Sequence, residues 1–244
     1  FVQDFKLNVS PISIVWLIDH HHMHEVSARL ASLCDFYALA HPSRADYLTT
    51  TFANALGFAP CAINQWTAAA IDAFGSTLLM GPRSDALYGG FRSYGVFERE
   101  RFVERCIADI PDNRIRQTSW DAPPEPGSYY TKSADQKFAE WTSFKTSLCV
   151  AVKQDVPIRL FDALLAGQIP LVSDDIAGLD QVISPRALKS LPILRFRAND
   201  VADLQRAHQR GVELFDAGGE EAMRRRHSYA RRNHMLTARL ERFA

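Results

Sequence analysis

Residues 156–175, VPIRLFDALLAGQIPLVSDD, constrain the fold more than any other stretch of this chain. Leu160, Phe161, Leu164 and Leu165 recur at helical spacing and make an apolar stripe, so the segment opens as a short helix. Pro157 suits a first turn, where a missing N–H costs nothing, and Gly167 suits the left-handed residue that stops a helix. Residues 169–172 then make a brief apolar strand running into Ser173, Asp174 and Asp175. Arg159 and Asp162, three apart, share another face, which sets a cation beside a carboxylate. In open α/β sheets ligands collect at strand carboxyl ends and helix N-termini, so both ends of this unit face a candidate site.

The same alternation runs along the whole chain. Residues 12–18 (ISIVWLI) read as a strand buried on both faces, ending in Asp19, His20, His21, His22, Met23 and His24. A helix over 26–33 and a strand over 35–39 follow. Ser43 is expected to cap a helix reaching about Leu56 and closed by Gly57, with a strand over 58–63 and an alanine-rich helix beyond Trp66. Small residues over 76–84 set a domain boundary near residue 80. In the second part a strand over 85–88 breaks into Gly89 and Gly90. A helix over 98–107, a strand over 114–117 and a proline-rich loop over 121–127 come next. A helix over 132–143 and a strand over 148–152 lead into the opening unit. A strand over 191–196 precedes two helices, 200–215 and 220–243, separated by Gly218 and Gly219. The class is α/β, with parallel sheets wound by helices on both faces.

The 244 residues, 47% of them hydrophobic, can bury one large core or two small ones. Lysine plus arginine (28) equals aspartate plus glutamate (28), which argues against a nucleic-acid binder and makes any charged site local. No run of ~18 apolar residues is present to span a bilayer, and the first residues do not form a signal peptide. The four dispersed cysteines suit buried thiols in a reducing, cytoplasmic compartment.

Several residues suit chemistry. Gly89 and Gly90, between strand and helix, let a backbone approach a phosphate, and Arg92 could grip a pyrophosphate in bidentate fashion. Arg159 reads either as one half of a surface ion pair or as a diphosphate ligand, with Asp162 binding ribose hydroxyls. Trp120 reads as a half-buried ring or a base-stacking platform. Asp19 followed by His20 and His21 resembles the signature of the DHH phosphoesterases, which implies a metal-dependent phosphoesterase with His41 as a further ligand. A solvated histidine loop, or one supplying a base, stays open beside that reading.

The order of elements over 85–194 resembles the donor-binding domain of the GT-B glycosyltransferases. That group carries a stretch of the type E-G-F-G-L-P-L-L-E-A-M-A-C-G-x-P-V-V-A-S-D. This chain has QDVPIRLFDALLAGQIPLVSDD over 154–175, in register through Ala163 and Gly167, with Pro170 and Val172 following. The family's ribose-binding glutamate falls on Asp162 and its sugar-proximal glutamate on Gln154, both of them departures from the pattern. The resemblance implies two Rossmann-like parallel-sheet domains, the N-terminal one incomplete. It divides them into an acceptor-side domain over 1–80, a donor domain over 81–219 and a helix over 220–244 returning toward the N-terminal domain. It implies a transferase moving a sugar from a nucleotide sugar to a glycan or glycoconjugate hydroxyl, in polysaccharide biosynthesis, without cofactor or bound metal. Gly89, Gly90, Arg92, Trp120, Gln154, Arg159 and Asp162 would bind the donor, and His20 or His21 would be the base. Peripheral membrane contact and a non-catalytic nucleotide-sugar binding module are compatible with the same resemblance.

Overall fold

The structure, a computed structural model, describes residues 12–241. They form two compact units. The smaller holds the described residues through Cys61 together with Lys153–Val156 and Ile176–Ser184. The larger holds Ala62–Val152, Pro157–Asp175 and the chain from Pro185 onward. The division therefore falls after Cys61 rather than near residue 80, and the alanine-rich helix goes with the larger unit.

In the smaller unit β1 (Ile14–Leu17), α1 (His24–Leu33), β2 (Phe36–Leu39), α2 (Asp46–Thr49) and β3 (Ala55–Phe58) build a 3-stranded parallel sheet in the order β1-β2-β3. Leu17, Ala31, Tyr37, Leu39 and Leu48 pack as its core. The long helix expected after Ser43 shrinks to α2, whose N-cap is Ala45. The Thr50 and Thr51 hydroxyls bond back to the Asp46 and Tyr47 carbonyls at 2.6 and 2.7 Å, a competition that bends and ends helices. The third strand begins at Ala55 instead of residue 58. Gly57, at φ +99, lies inside it and accompanies a register shift against β2.

The larger unit contains α3 (Ala68–Leu79), β4 (Leu87–Ser93), α4 (Glu98–Asp109), β5 (Asn113–Ser119), α5 (Ala134–Thr142), β6 (Thr146–Cys149), α6 (Ile158–Leu165) and β7 (Ile169–Ser173). The short α7 (Leu179–Val182) lies in the smaller unit. Then α8 (Pro185–Ser190), β8 (Leu194–Phe196), α9 (Val201–His234) and α10 (Leu236–Leu240) complete the larger one. Its 5-stranded sheet is parallel throughout, in the order β5-β4-β6-β7-β8. Leu87, Phe91, Phe102, Val103, Leu148 and Leu171 fill the core.

Gly89 and Gly90 do not break β4; they lie in its middle. A Cβ on Gly89 would stand 2.9 Å from the Phe91 ring, and one on Gly90 3.7 Å from the Arg116 guanidinium. Gly89 thus serves close packing in a central strand, while a side chain at Gly90 would make an ordinary contact, and the turn comes later, at Gly95 (φ +74). The two helices expected on either side of Gly218 and Gly219 are present: the span Val201–His234, α9, breaks at Gly219, whose φ 56 and ψ −159 are not helical. The far end of α9 meets residue 63, where the Ile63 amide donates to the His234 carbonyl at 2.8 Å. This basic helix is more than a solvated face. Arg224 and Arg225 pair with Glu220 and Glu221 on the surface, while Arg226 is fully buried. Its Nε donates to the Gly167 carbonyl at 2.8 Å.

Gly167 takes φ +72 just after α6, and a Cβ there would sit 2.6 Å from Met223 Cγ. Gly167→Ala combines a left-handed L-residue with overpacking, so it is expected to lower stability by roughly 2–4 kcal/mol. Urea unfolding would read the change directly, and an unchanged midpoint would refute the strain assigned to this residue.

Candidate functional site

In the larger sheet, β4 is followed by a neighbour on one side, β5, and the chain then crosses to the other side to make β6. The strand order therefore reverses between β4 and β6, and the crevice outside their carboxyl ends is where such sheets bind ligands. Helix α6 supplies residues to this crevice. Arg159 lies with its guanidinium over the Phe91 ring of β4 at 5.2 Å. Arg159 and Asp162 both act on the thiol of Cys149, the last residue of β6, which burial pushes up to about 12.

The expected pairing of Arg159 with Asp162 is not a surface ion pair. Asp162 is 1% exposed and turned inward, where Gln65 Nε2 donates to its Oδ2 at 2.7 Å. Gln65 Oε1 in turn accepts from the Tyr129 hydroxyl, which accepts from Trp141 Nε1 at 2.8 Å. The result is a line of donors, Trp141 to Tyr129 to Gln65 to Asp162, in which each bond polarises the next. The line ends at Asp162 Oδ1, which is buried without a hydrogen-bond partner. Burial raises the Asp162 carboxyl from 3.8 to about 7, with the Gln65 bond and the Arg159 charge acting in the opposite direction.

Arg92 and Trp120 occupy the carboxyl ends of β4 and β5. The Arg92 guanidinium lies 3.8 Å from the Tyr130 ring centroid and 5.6 Å from that of Trp120, and its Nη1 donates to the Ser119 carbonyl at 2.8 Å. Trp120 is 57% exposed, with one face stacked on Tyr94 at 5.1 Å. Arg92 is thus largely engaged, and Arg159 is the cation nearer the β4–β6 crevice. Gly89 and Gly90, inside the strand, are not placed as a phosphate turn. Gln154 belongs to the smaller unit, in a left-handed turn at φ 70, where its carbonyl accepts from the Ala177 amide.

The smaller unit gathers histidines at the carboxyl ends of β1 and β2. His20 and His41 stack with centroids 5.8 Å apart, and the His21 ring lies 4.7 Å from His41 and 4.5 Å from His22. His20 is fully buried, with Nδ1 3.1 Å from the Leu17 carbonyl and Nε2 3.3 Å from that of Ser43. Burial holds His20 below the usual imidazole range, and burial with neighbouring rings takes His21 down to about 2 and His41 to about 3. To serve as a base for an acceptor hydroxyl, His20 or His21 would first have to be uncovered. The set Asp19, His20, His21 and His41 does not converge as one ligand group. The groups that do are Asp19 with His21 and His22, and His21 with His41 and Asp155.

Sequence reasoning missed Asp155, Tyr129 and Trp141. Asp155 stands 134 positions from His21 in the chain, and nothing local marks Tyr129 as a partner of Gln65.

No family model matches this sequence, and no curated protein matches it. Among solved structures, sucrose-phosphate synthase from Thermosynechococcus elongatus aligns with a TM-score of 0.56 at 14% identity, over 100% of this chain and 64% of that one. The pneumococcal O-GlcNAc transferase GtfA in complex with UDP and GlcNAc aligns at 0.49 and 12% identity, over 90% of this chain and 46% of that one. The catalytic domain of Starch Synthase IV from Arabidopsis thaliana, bound to ADP and acarbose, aligns at 0.48 and 11% identity, over 87% and 55%. The fold assignment rests on the first: the two parallel-sheet units are Rossmann-like and have the fold of the GT-B glycosyltransferases. This chain spans 64% of the length of that synthase. Among the described residues no helix is long and apolar enough to cross a membrane.

Because the folded state holds the Asp162 proton more tightly than the unfolded chain does, this contribution to stability is full below pH 3.8. It is lost as pH rises to about 7. Relative to Asp162→Asn, the native chain is expected to lose on the order of 2 kcal/mol between pH 5 and pH 7.5. Urea unfolding of both proteins across that range checks it, and a stability difference independent of pH would refute the raised carboxyl.

Proposed function

We propose that this chain is a glycosyltransferase that moves a sugar from a nucleotide-sugar donor to a hydroxyl of a glycan or glycoconjugate, with the larger unit holding the donor. The fold admits this activity, and the observation that carries the reading is the open end of the hydrogen-bond line at Asp162. A buried carboxyl oxygen without a partner is costly to leave unmade, and it lies on the helix that enters the β4–β6 crevice. A ribose hydroxyl donating to Oδ1 would close the line, once that buried oxygen is uncovered to the crevice.

The diphosphate would lie at the N-terminus of α6. That end follows Pro157, carries no side-chain cap and no acidic residue in its first turn, so its amides and dipole are available to an anion. Arg159, one residue into the helix, adds a full positive charge. Among the described residues no carboxylate lies within ion-pair distance of it, and it rests on the face of Phe91. As the bond between the anomeric carbon and the diphosphate breaks, negative charge grows on the leaving group. A fixed guanidinium and helix amides stabilise that charge without reorganisation, so this reading asks for no metal at the donor. Trp120, stacked on Tyr94 and with the Arg92 guanidinium 5.6 Å from its ring centroid, would offer the exposed part of its ring to a nucleobase.

Calorimetry with UDP, GDP and ADP is expected to find one nucleotide that binds the chain. Arg159→Ala is expected to weaken that binding about tenfold or more, the loss of one charge-assisted contact. Asp162→Asn is expected to weaken it less, because the amide can still accept a hydrogen bond. No binding by any of the three, or affinity unchanged in Arg159→Ala, would refute the donor site.

A further inference from the structure

We propose that His21, His41 and Asp155 form a binding site for a divalent transition-metal ion in the smaller unit, with zinc the cation that suits the ligand set. β1 and β2 are parallel neighbours in register at Leu17 and Leu39, so the segments that leave their carboxyl ends bring His21 and His41 together. Their rings meet edge to face at 82°, with centroids 4.7 Å apart. Asp155 arrives from a turn whose two preceding residues, Lys153 and Gln154, both take left-handed conformations at φ 49 and 70. Such strain in consecutive non-glycine residues is kept where a side chain must be aimed. Asp155 Oδ2 stands 4.0 Å from His21 Nε2, and one ligand atom from each of the three residues lies within 4.8 Å of the others. Zinc bonds of about 2.0–2.2 Å in a tetrahedron set ligand atoms about 3.3–3.6 Å apart. The cluster therefore needs to close by only about an ångström.

A second observation points to a ligand. His21 is 2% exposed, and its Nδ1 has no hydrogen-bond partner. Buried polar networks left partly satisfied are worse than an apolar core; Nε2, the nitrogen measured against Asp155, has the His22 Nδ1 at 3.1 Å, and a cation on Nε2 would replace that contact while Nδ1 is left to an outer-shell partner. On His41 the Val156 amide approaches Nδ1 only at 3.4 Å, so the lone pair there is weakly engaged. The other nitrogen, Nε2, lies 3.9 Å from the buried Cys61 sulfur, and the ring also bonds to the Ile18 backbone, a partner of the kind that orients a ligating imidazole. Lys153 is near enough to His21 to oppose a cation, and the Asp155 carboxylate offsets it. Two imidazoles with one carboxylate select zinc, copper or nickel over magnesium and calcium, which take oxygen ligands. The second convergent group, Asp19 with His21 and His22, shares His21 and is the more exposed of the two, so a single ion is expected on the buried one.

Metal analysis of the chelator-stripped, zinc-dialysed chain tests the site directly. One zinc per chain is expected, with a higher thermal midpoint than the stripped protein. Loss of an outer-shell partner alone weakens such sites about 10–100-fold, so Asp155→Asn and His41→Ala are expected to weaken zinc binding at least that much. His24→Gln, an exposed ring outside the cluster and tilted against Tyr47, is expected to bind as the native chain does. Should His41→Ala fail to fold by circular dichroism, Asp155→Asn on its turn decides alone. Failure to take up stoichiometric zinc overturns the proposal. So does full uptake in Asp155→Asn, or a loss confined to Asp19→Asn, which would place the ion on the exposed group.

Discussion

One hydrogen-bonded line organises the larger unit: Trp141 gives to Tyr129, Tyr129 to Gln65, and Gln65 to Asp162. It joins four segments far apart in sequence, namely α5, the turn before it, the stretch ahead of α3, and α6. Of these, Trp141 and Asp162 are buried, and an unpaired polar atom on either costs roughly 1–3 kcal/mol. The line therefore does more than one bond's work in seating α6 against β4 and β6. Since all the donors point the same way, the polarity of the network is set as well as its geometry.

That polarity decides what the end residue can be. An acceptor must terminate the line, which suits a carboxylate, while burial pulls the same carboxylate toward its neutral form. The two tendencies meet near neutral pH, so modest changes at Oδ1 move the balance between proton and hydrogen-bond donor. The glycosyltransferase pattern has glutamate at this position. Aspartate, one methylene shorter, stays within reach of Gln65 and keeps the carboxyl inside the protein. The departure in sequence and the observed burial are thus two views of one geometry.

Much of this architecture was legible because it is written locally. The stripe Leu160, Phe161, Leu164 and Leu165 with Gly167 after it gives α6 and its end, and the alternation of strands and helices gives the parallel sheets. What failed were places where tertiary packing overrides local preference. Gly89 and Gly90 look like a turn but sit in a strand, where a Cβ on Gly89 would crowd the Phe91 ring. The helix after Ser43 stops early because threonine hydroxyls compete for its carbonyls. For the site, Arg159 and Asp162 were recognisable by type and spacing, yet their roles diverge because one rests on the Phe91 ring and the other faces Gln65, 97 residues away. The histidines announced a cluster, but membership depended on Asp155, whose position only the fold supplies.

The electrostatics of α6 follow from what holds its other end. Arg83 donates to the Leu79 and Ala166 carbonyls at 3.3 and 2.8 Å, at the C-termini of α3 and α6, and Arg226 donates to the Gly167 carbonyl. The two guanidiniums lie over the Phe215 ring at 5.2 and 5.3 Å. Burial lowers both to about 10, so both remain charged at neutral pH. Buried cations are usually matched by carboxylates; here the negative ends of two helices serve that purpose. With its C-terminus neutralised by fixed cations, α6 no longer has its dipole balanced internally, and its N-terminus has neither cap nor acid to quench it. The positive end follows the carboxyl end of β6, with Arg159 in its first turn.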